Sequence, residues 1–275
     1  MENKTFYFMG GLPRSGSTLL TAILNQHPKI YASPQSNFLD MYSSLEKTIY
    51  QSTPWNTNLR KEAHKNVLNN LGNLYYSDIN KPIIIDKDRG WGTPGNNPAA
   101  NSLSKNQKTI LVLRPILEVL ASFIKLAESN PNNFIDKDIN SINLYVKYYR
   151  ELNDVRCDYL MLPNNEIDRT LLAIATLLNN PGSYHIVWYN DLITNTQKTL
   201  NKIYNFLGIE NYIHNLNNIQ QLDEHDDFAI FGIKNLHVIK KSIQPSKTKP
   251  EIILSDYVIN KYGNALDFIP KEINW

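Results

Sequence analysis

Gly11-Leu12-Pro13-Arg14-Ser15-Gly16-Ser17-Thr18 decides how this chain folds. Upstream lies Thr5 to Met9, aromatic and apolar and closed by Gly10-Gly11, the pattern of a buried strand feeding a turn. Downstream, Ser17 to Gln26 carries Leu19, Leu20, Ile23 and Leu24 at helical spacing. Two glycines at such a strand-to-helix junction let backbone N–H groups converge on an anion at the helix N-terminus. The spacing equals that of the nucleotide-binding motif G-x-x-x-x-G-K-[ST], except that Ser17 stands in the lysine's place. In NTPases that lysine holds the outer phosphates, whereas here the loop's only cation is Arg14, in its middle, so a different anion geometry is expected. A tight turn capped by hydroxyls would account for the glycines and Thr18 but gives no reason for the arginine.

Outward from the loop, short runs that are apolar on both faces recur at Pro82 to Ile85, Thr109 to Leu113 and Tyr184 to Trp188. Such runs suit parallel strands covered on both sides. Helical stretches are expected at Asn37 to Gln51, Leu59 to Tyr76, Pro115 to Glu128, Ile139 to Leu152, Glu166 to Leu178 and Thr196 to Leu207, the last stopped by Gly208. Alternation of this kind predicts an α/β, three-layer fold with a central parallel sheet flanked by helices, and a binding crevice where strand ends gather. Residues 1–275 are expected to form a single domain. The irregular parts are Thr53 to Asn58, Gly90 to Asn97 and Leu222 to Lys249, the last a long loop of about 222–249 expected to close over the site.

Lys+Arg 28 against Asp+Glu 26 leaves a net charge of +2 in 275 residues. That field is too weak to recruit nucleic acid or an anionic membrane in bulk, so any basic site must be local. Cys157 is the only cysteine, which excludes an intrachain disulfide and a cysteine-based metal site within one chain. No apolar run is long enough to span a membrane, and a cytoplasmic, reducing compartment is expected. The six histidines form no H-x-x-x-H or comparable pair, so no metal is expected.

Leu111-Val112-Leu113-Arg114-Pro115 ends the third of these strands with an arginine and opens a helix with proline, and Ser122 follows Arg114 by eight residues. About two helical turns separate them, so a guanidinium and a hydroxyl can converge on one phosphate, which suits arginine's planar fork. PRSGSTLL after an N-terminal strand resembles the 5′-phosphosulfate loop of sulfotransferases, which use 3′-phosphoadenosine 5′-phosphosulfate (PAPS) as donor. The resemblance implies a P-loop NTPase-like fold and gives Arg14, Ser15, Gly16, Ser17 and Thr18 the grip on the 5′-phosphosulfate. The Arg114–Ser122 pair is similar to the family's 3′-phosphate motif, although the family often has an Asp between the arginine and the proline. Trp188 to Leu192, followed by Leu200 to Gly208, resembles the family's strand-loop-helix segment ending in FLG. Phe231 to His237 with Lys240 and Lys241 lies where the family generally has a basic loop closing over the nucleotide.

Sulfuryl transfer needs a cation at the bridging oxygen and a base for the acceptor proton. Asp86-Lys87-Asp88-Arg89-Gly90-Trp91 follows the second strand, whose end should face the glycine loop's crevice. Lys87 joins Arg14 as the candidate cation, with Asp88, or failing that Asp86, as the base. Some sulfotransferases take the base instead from a Glu after the first helix, but Ser33-Pro34-Gln35-Ser36 holds no carboxylate. His237 and Trp91 are further residues that could touch nucleotide or acceptor. The reading implied is PAPS-dependent transfer to a hydroxyl or amine, with adenosine 3′,5′-bisphosphate as product and a small-molecule, carbohydrate or peptide acceptor. Two alternatives stand beside it: a P-loop kinase or NTPase using Asp86 with Mg-ATP, and a nucleotide-binding module without catalysis. Ser33 to Trp55 and Asn130 to Arg150, the segments expected to shape the acceptor pocket, carry no readable code, and oligomeric state is not legible.

Overall fold

The computed structural model describes residues 4–51, 60–141, 151–222, 226–234, 236–244 and 249–270. Thr53 to Asn58, the tyrosines between Tyr145 and Tyr149, and most of the helix expected over Ile139 to Leu152 lie outside the described residues.

Five parallel strands form one sheet in the order β2-β3-β1-β4-β5. They are β1 (Thr5–Gly11), β2 (Ile30–Ala32), β3 (Ile83–Lys87), β4 (Thr109–Leu113) and β5 (Tyr184–Trp188). β2 was not among the expected strands; at three residues, Ile30-Tyr31-Ala32 is too short to show a period against its surroundings. The helices are α1 (Ser17–Leu24), α2 (Phe38–Gln51), α3 (Lys61–Tyr75), α4 (Asn97–Leu103), α5 (Ile116–Glu128), α6 (Phe134–Ser141), α7 (Leu152–Leu160), α8 (Glu166–Leu178), α9 (Tyr189–Thr194), α10 (Thr196–Leu207), α11 (Asp227–Phe231), α12 (Pro250–Ile253) and α13 (Asp256–Tyr262). α8 and α10 match the sequence periodicity, and Gly208 ends α10 at φ 78 in the left-handed region that glycine favours.

The strands alternate their side chains between two cores. On one face Met9, Ile85, Ile110, Val112 and Val187 pack against Leu20, Ile23 and Leu24 of α1 and Leu200, Ile203 and Leu207 of α10. On the other, Leu111 and Leu113 meet Val119, Leu120 and Ile124 of α5 and Ile174 of α8, while Phe8 packs with Phe38 and Trp91. Every side chain of β4 is buried, as continuous apolar runs in a doubly covered sheet require. Cys157 is one of these core residues.

β1 sits at the centre, with Met9 beside Lys87 of β3 and Gly11 beside Val112 of β4. The register therefore brings three carboxyl ends together: the glycine loop after β1, Lys87 to Arg89 at the end of β3, and Arg114 after β4. Open α/β sheets bind ligands outside such strand ends.

Candidate functional site

The glycine loop takes its shape from contacts that only glycine permits. Gly11 has φ 121, and a Cβ there would lie 2.1 Å from the Val112 carbonyl oxygen on β4. Gly16 has φ 92, and its Cβ would meet the Tyr189 ring at 2.7 Å. Arg14 itself lies at φ 58, an uncommon value for a residue with a side chain. Leu12 N–H donates to the Val112 carbonyl at 3.0 Å, and the Gly16 carbonyl accepts from Leu20 N–H at 2.9 Å, which starts α1.

A cleft of about 610 Å³ opens above the strand ends, within the range of ordinary ligand sites. Its walls include Arg14, Gly16, Ser17, Thr18, Lys87, Asp88, Arg89, Arg114 and Lys240, together with Pro34 to Ser36 and Tyr189. Ser15 is the exception in the loop: it is buried, and its hydroxyl donates to the Leu12 carbonyl at 2.5 Å, so it braces the turn. Lys241 is exposed and outside the cleft wall; its carbonyl accepts from Ile219 N–H at 2.7 Å.

Arg14, Ser122 and Arg114 form one connected group. Arg14 Nε donates to Ser122 Oγ at 3.3 Å, its Nη1 donates to the Leu236 carbonyl, and its own carbonyl accepts from Arg114 Nη1 at 3.0 Å. Arg114 Nε pairs with Glu118 Oε2 at 2.9 Å, and its guanidinium carbon lies 4.3 Å from the Tyr189 ring centre. Burial and the neighbouring Arg114 cation lower the pKa of Arg14. Two guanidiniums this close in a half-closed cleft form a site that favours anions.

The residues after β3 divide between core and cleft. Asp86 is wholly buried: Oδ2 accepts from Ser36 Oγ at 2.7 Å and from the Tyr76 hydroxyl, and Oδ1 accepts from Trp91 Nε1 at 2.8 Å. This corrects the expectation that Asp86 could act as a base or hold magnesium, because Asp86 does not line the cleft and its buried oxygens already serve three protein donors. Trp91, 4.4 Å from the Phe8 ring centre, is likewise a core residue rather than a stacking platform. Lys87 and Asp88 do face the cleft. Burial, with help from Arg89, pushes Lys87 down to about 8, and burial pushes Asp88 up to about 6 against the hydrogen bond of 2.7 Å from Gly90 N–H to its Oδ1. Burial disfavours the charged form of both, so each titrates close to neutrality.

Several cleft residues escaped the sequence reading. Glu166 at the start of α8 pairs with Arg89, Tyr189 stacks on Arg114, and Phe134 and Phe231 line the wall with ring centres 6.2 Å apart. Tyr189 and Phe231 carried a signal, since each lies in a segment quoted above for its resemblance to the family. Glu166 and Phe134 carried none, because each sits on an ordinary amphipathic stretch. His237 does reach the cleft, held by Asp227. Among the described residues no group of three or more His, Cys, Asp or Glu could hold a metal ion, and no helix is long and apolar enough to cross a membrane.

A parallel sheet with a glycine loop at its central strand and arginines at neighbouring strand ends defines an anion-binding α/β protein of P-loop type. The chain belongs to the sulfotransferase domain family, whose sequence model matches residues 5–249. Its sequence is 25% identical over 209 residues to a protein of Caenorhabditis briggsae named "Putative protein-tyrosine sulfotransferase", a match covering 74% of this chain and 65% of that protein. The match thus spans just under two thirds of the length of that relative. Among solved structures, the sulfotransferase domain from the curacin biosynthetic pathway superposes with a TM-score of 0.53 at 17% identity, covering 94% of this chain and 96% of that one. The sulfotransferase domain from the Synechococcus PCC 7002 olefin synthase gives 0.52 at 17% identity, covering 96% and 94%. At that identity these two structures speak to the fold alone.

Proposed function

We propose that this chain moves a sulfuryl group from PAPS to a hydroxyl or amine, leaving adenosine 3′,5′-bisphosphate. The observation that supports this reading is the hydrogen-bonded group of Arg14, Ser122 and Arg114, whose two arginines come from separate strand ends and line one cleft. Arg14, with the loop N–H groups and the hydroxyls of Ser17 and Thr18, would hold the 5′-phosphosulfate. Arg114 and Ser122 would hold the 3′-phosphate, and Lys240 would screen the nucleotide from above. The donor set is cationic and hydroxylic, which fits a polyanion without an accompanying metal.

Transfer forms a bond from the acceptor oxygen or nitrogen to sulfur as the bridging sulfur–oxygen bond breaks and its electron pair leaves on the phosphate. Lys87 and Arg14 neutralise that leaving oxygen, and one well-aimed donor of this kind is worth about 3–4 kcal/mol. A proton must also leave the acceptor, and three groups of the cleft wall can receive it, Asp88, His237 and Glu166, the last paired with Arg89. As an acceptor, a peptide tyrosine is worth testing because the C. briggsae relative's name mentions it; carbohydrates and small alcohols belong in the same panel. We further propose that the chain acts as one domain, that residues 222–249 close over the nucleotide, and that the enzyme works in a reducing, cytoplasmic compartment, where its buried Cys157 stays a thiol.

The test is a calorimetric titration with adenosine 3′,5′-bisphosphate in EDTA, set against ATP with and without magnesium. Binding of the bisphosphate without metal, weakened in Arg14→Ala and Arg114→Ala, supports the reading. Magnesium-dependent ATP binding in preference to it would instead select a kinase or NTPase. Normal bisphosphate binding with no transfer from PAPS to any acceptor would select a nucleotide-binding module.

A further inference from the structure

His237 is held more firmly than a loop residue needs to be. Asp227, the first residue of α11, is buried and gives both carboxylate oxygens to it: Oδ2 accepts from His237 N–H at 2.8 Å and Oδ1 sits 2.6 Å from Nδ1. The segment that carries the pair is pinned to the α5–α6 corner. Lys234 N–H donates to Asn130 Oδ1 at 2.9 Å, and Gly232 at φ 66 approaches so closely that a Cβ would lie 2.3 Å from the Asn132 carbonyl oxygen. Phe231, with its ring centre 6.0 Å from the imidazole and 6.2 Å from Phe134, closes one side. The next residue back, Leu236, offers its carbonyl to Arg14. His237 is therefore tied on one flank to the glycine loop and lines the same cleft.

A carboxylate at Nδ1 fixes the tautomer with the proton on that nitrogen, which makes Nε2 the proton-accepting atom. Of the carboxylates in the cleft wall, Glu166 is paired with Arg89, and Asp88 has Oδ1 committed to the turn through Gly90 N–H at 2.7 Å. We infer that His237, oriented by Asp227, is the base that takes the acceptor's proton, and that Asp88 shapes the turn presenting Lys87. The inference rests on the sulfotransferase reading. In the step, the acceptor's lone pair forms the new bond to sulfur, the bridging oxygen leaves with its electron pair, and the acceptor proton passes to Nε2. His237 becomes an imidazolium facing Asp227 and later gives the proton to solvent. Burial lowers the pKa of His237, Asp227 on α11 opposes that shift, and the cations Lys87 and Arg89 at the end of β3 add to it. The neutral base therefore persists to below its ordinary pH.

The experiment measures PAPS turnover against pH with phenol, which stays protonated over the working range, as acceptor, alongside sulfate release to water and calorimetric affinity for adenosine 3′,5′-bisphosphate. The variants are His237→Gln, Asp227→Asn and Asp88→Asn. For His237→Gln the expected result is a loss of about 10²–10³-fold in kcat, disappearance of the acidic limb and unchanged bisphosphate affinity. Asp227→Asn is expected to lose roughly tenfold or more while keeping that affinity, because the imidazole loses its fixed tautomer. In Asp88→Asn the acidic limb stays. Undiminished turnover in His237→Gln, or an acidic limb that vanishes with Asp88 instead, overturns the assignment and leaves the sulfotransferase reading standing. No turnover by the unmodified chain with either acceptor strikes that reading itself, and this inference with it. Unchanged bisphosphate affinity shows that a slow variant is folded.

Discussion

On one wall of the cleft, the loop from Gly11 to Thr18 owes its shape to backbone: Gly11 lies against the β4 carbonyls, Gly16 against Tyr189, and Ser15 spends its hydroxyl inside the turn. On the other, residues 226–244 owe theirs to side chains: Asp227 on His237, Asn130 on Lys234, and Phe231 against Phe134. The first wall is one strand-turn-helix segment whose glycines are packed closely against β4 and Tyr189. The second combines the nearby pair of Asp227 and His237 with partners about a hundred residues away, and meets the first where Arg14 donates to the Leu236 carbonyl. Affinity for the nucleotide should therefore reside mainly in the first wall, and proton transfer and closure in the second.

That division can be broken by experiment. The largest effect is expected for Arg14→Ala, which removes the cation proposed to hold the 5′-phosphosulfate and its tie to Ser122. Turnover should fall by about 10²–10³-fold and bisphosphate affinity by roughly tenfold or more. Wild-type affinity in calorimetry would show that the glycine loop is a structural turn. Gly11→Ala should follow, costing about 3 kcal/mol in urea denaturation, because the new Cβ meets the Val112 carbonyl at a φ that side chains rarely adopt. A cost below about 1 kcal/mol would mean that the wall can yield despite that close packing.

A third test sharpens the role of Lys87. Its pKa is pushed down to about 8, so the cation is present below that pH and is lost above it. Turnover should fall as pH rises through that value, approaching about tenfold per unit, and Lys87→Arg should move the limb to higher pH. A limb unmoved in Lys87→Arg would assign it elsewhere. The smallest effect belongs to the second wall: Lys240→Ala should weaken bisphosphate binding severalfold, more so at low salt, while Lys241→Ala leaves it unchanged. Equal effects of the two would mean that the segment turns over when the nucleotide binds.

Much of the first wall was legible. The spacing of Gly11 and Gly16, the apolar run before them and the leucines after them act within one strand-turn-helix unit, so local geometry follows from local sequence. The strand-end position of Arg114 was legible for the same reason, as were α8 and α10, whose apolar stripes and end signals are strong. β2 was invisible because three residues make no pattern. The order of Asp88 before Asp86 was legible from their places after the strand, but the burial of Asp86 was not, since nothing along the chain says that Ser36, Tyr76 and Trp91 converge on one carboxylate. The pairings of Glu166 with Arg89 and of Phe134 with Phe231 were beyond reach, since only the fold makes them neighbours.

The amino-acid order by itself determined the parallel α/β sheet, the anion-binding turn and the presence of cations at two strand ends, because each depends on residues within about two helical turns of one another. Only the tertiary structure decided which carboxylate goes to the core, that Arg14 and Ser122 touch across 108 residues, and that Leu236 and His237 close the same cleft from more than two hundred residues downstream of the glycine loop. The physical reason is that side-chain convergence over such separations is set by packing of whole elements, whereas a turn is set by the φ and ψ its own residues allow.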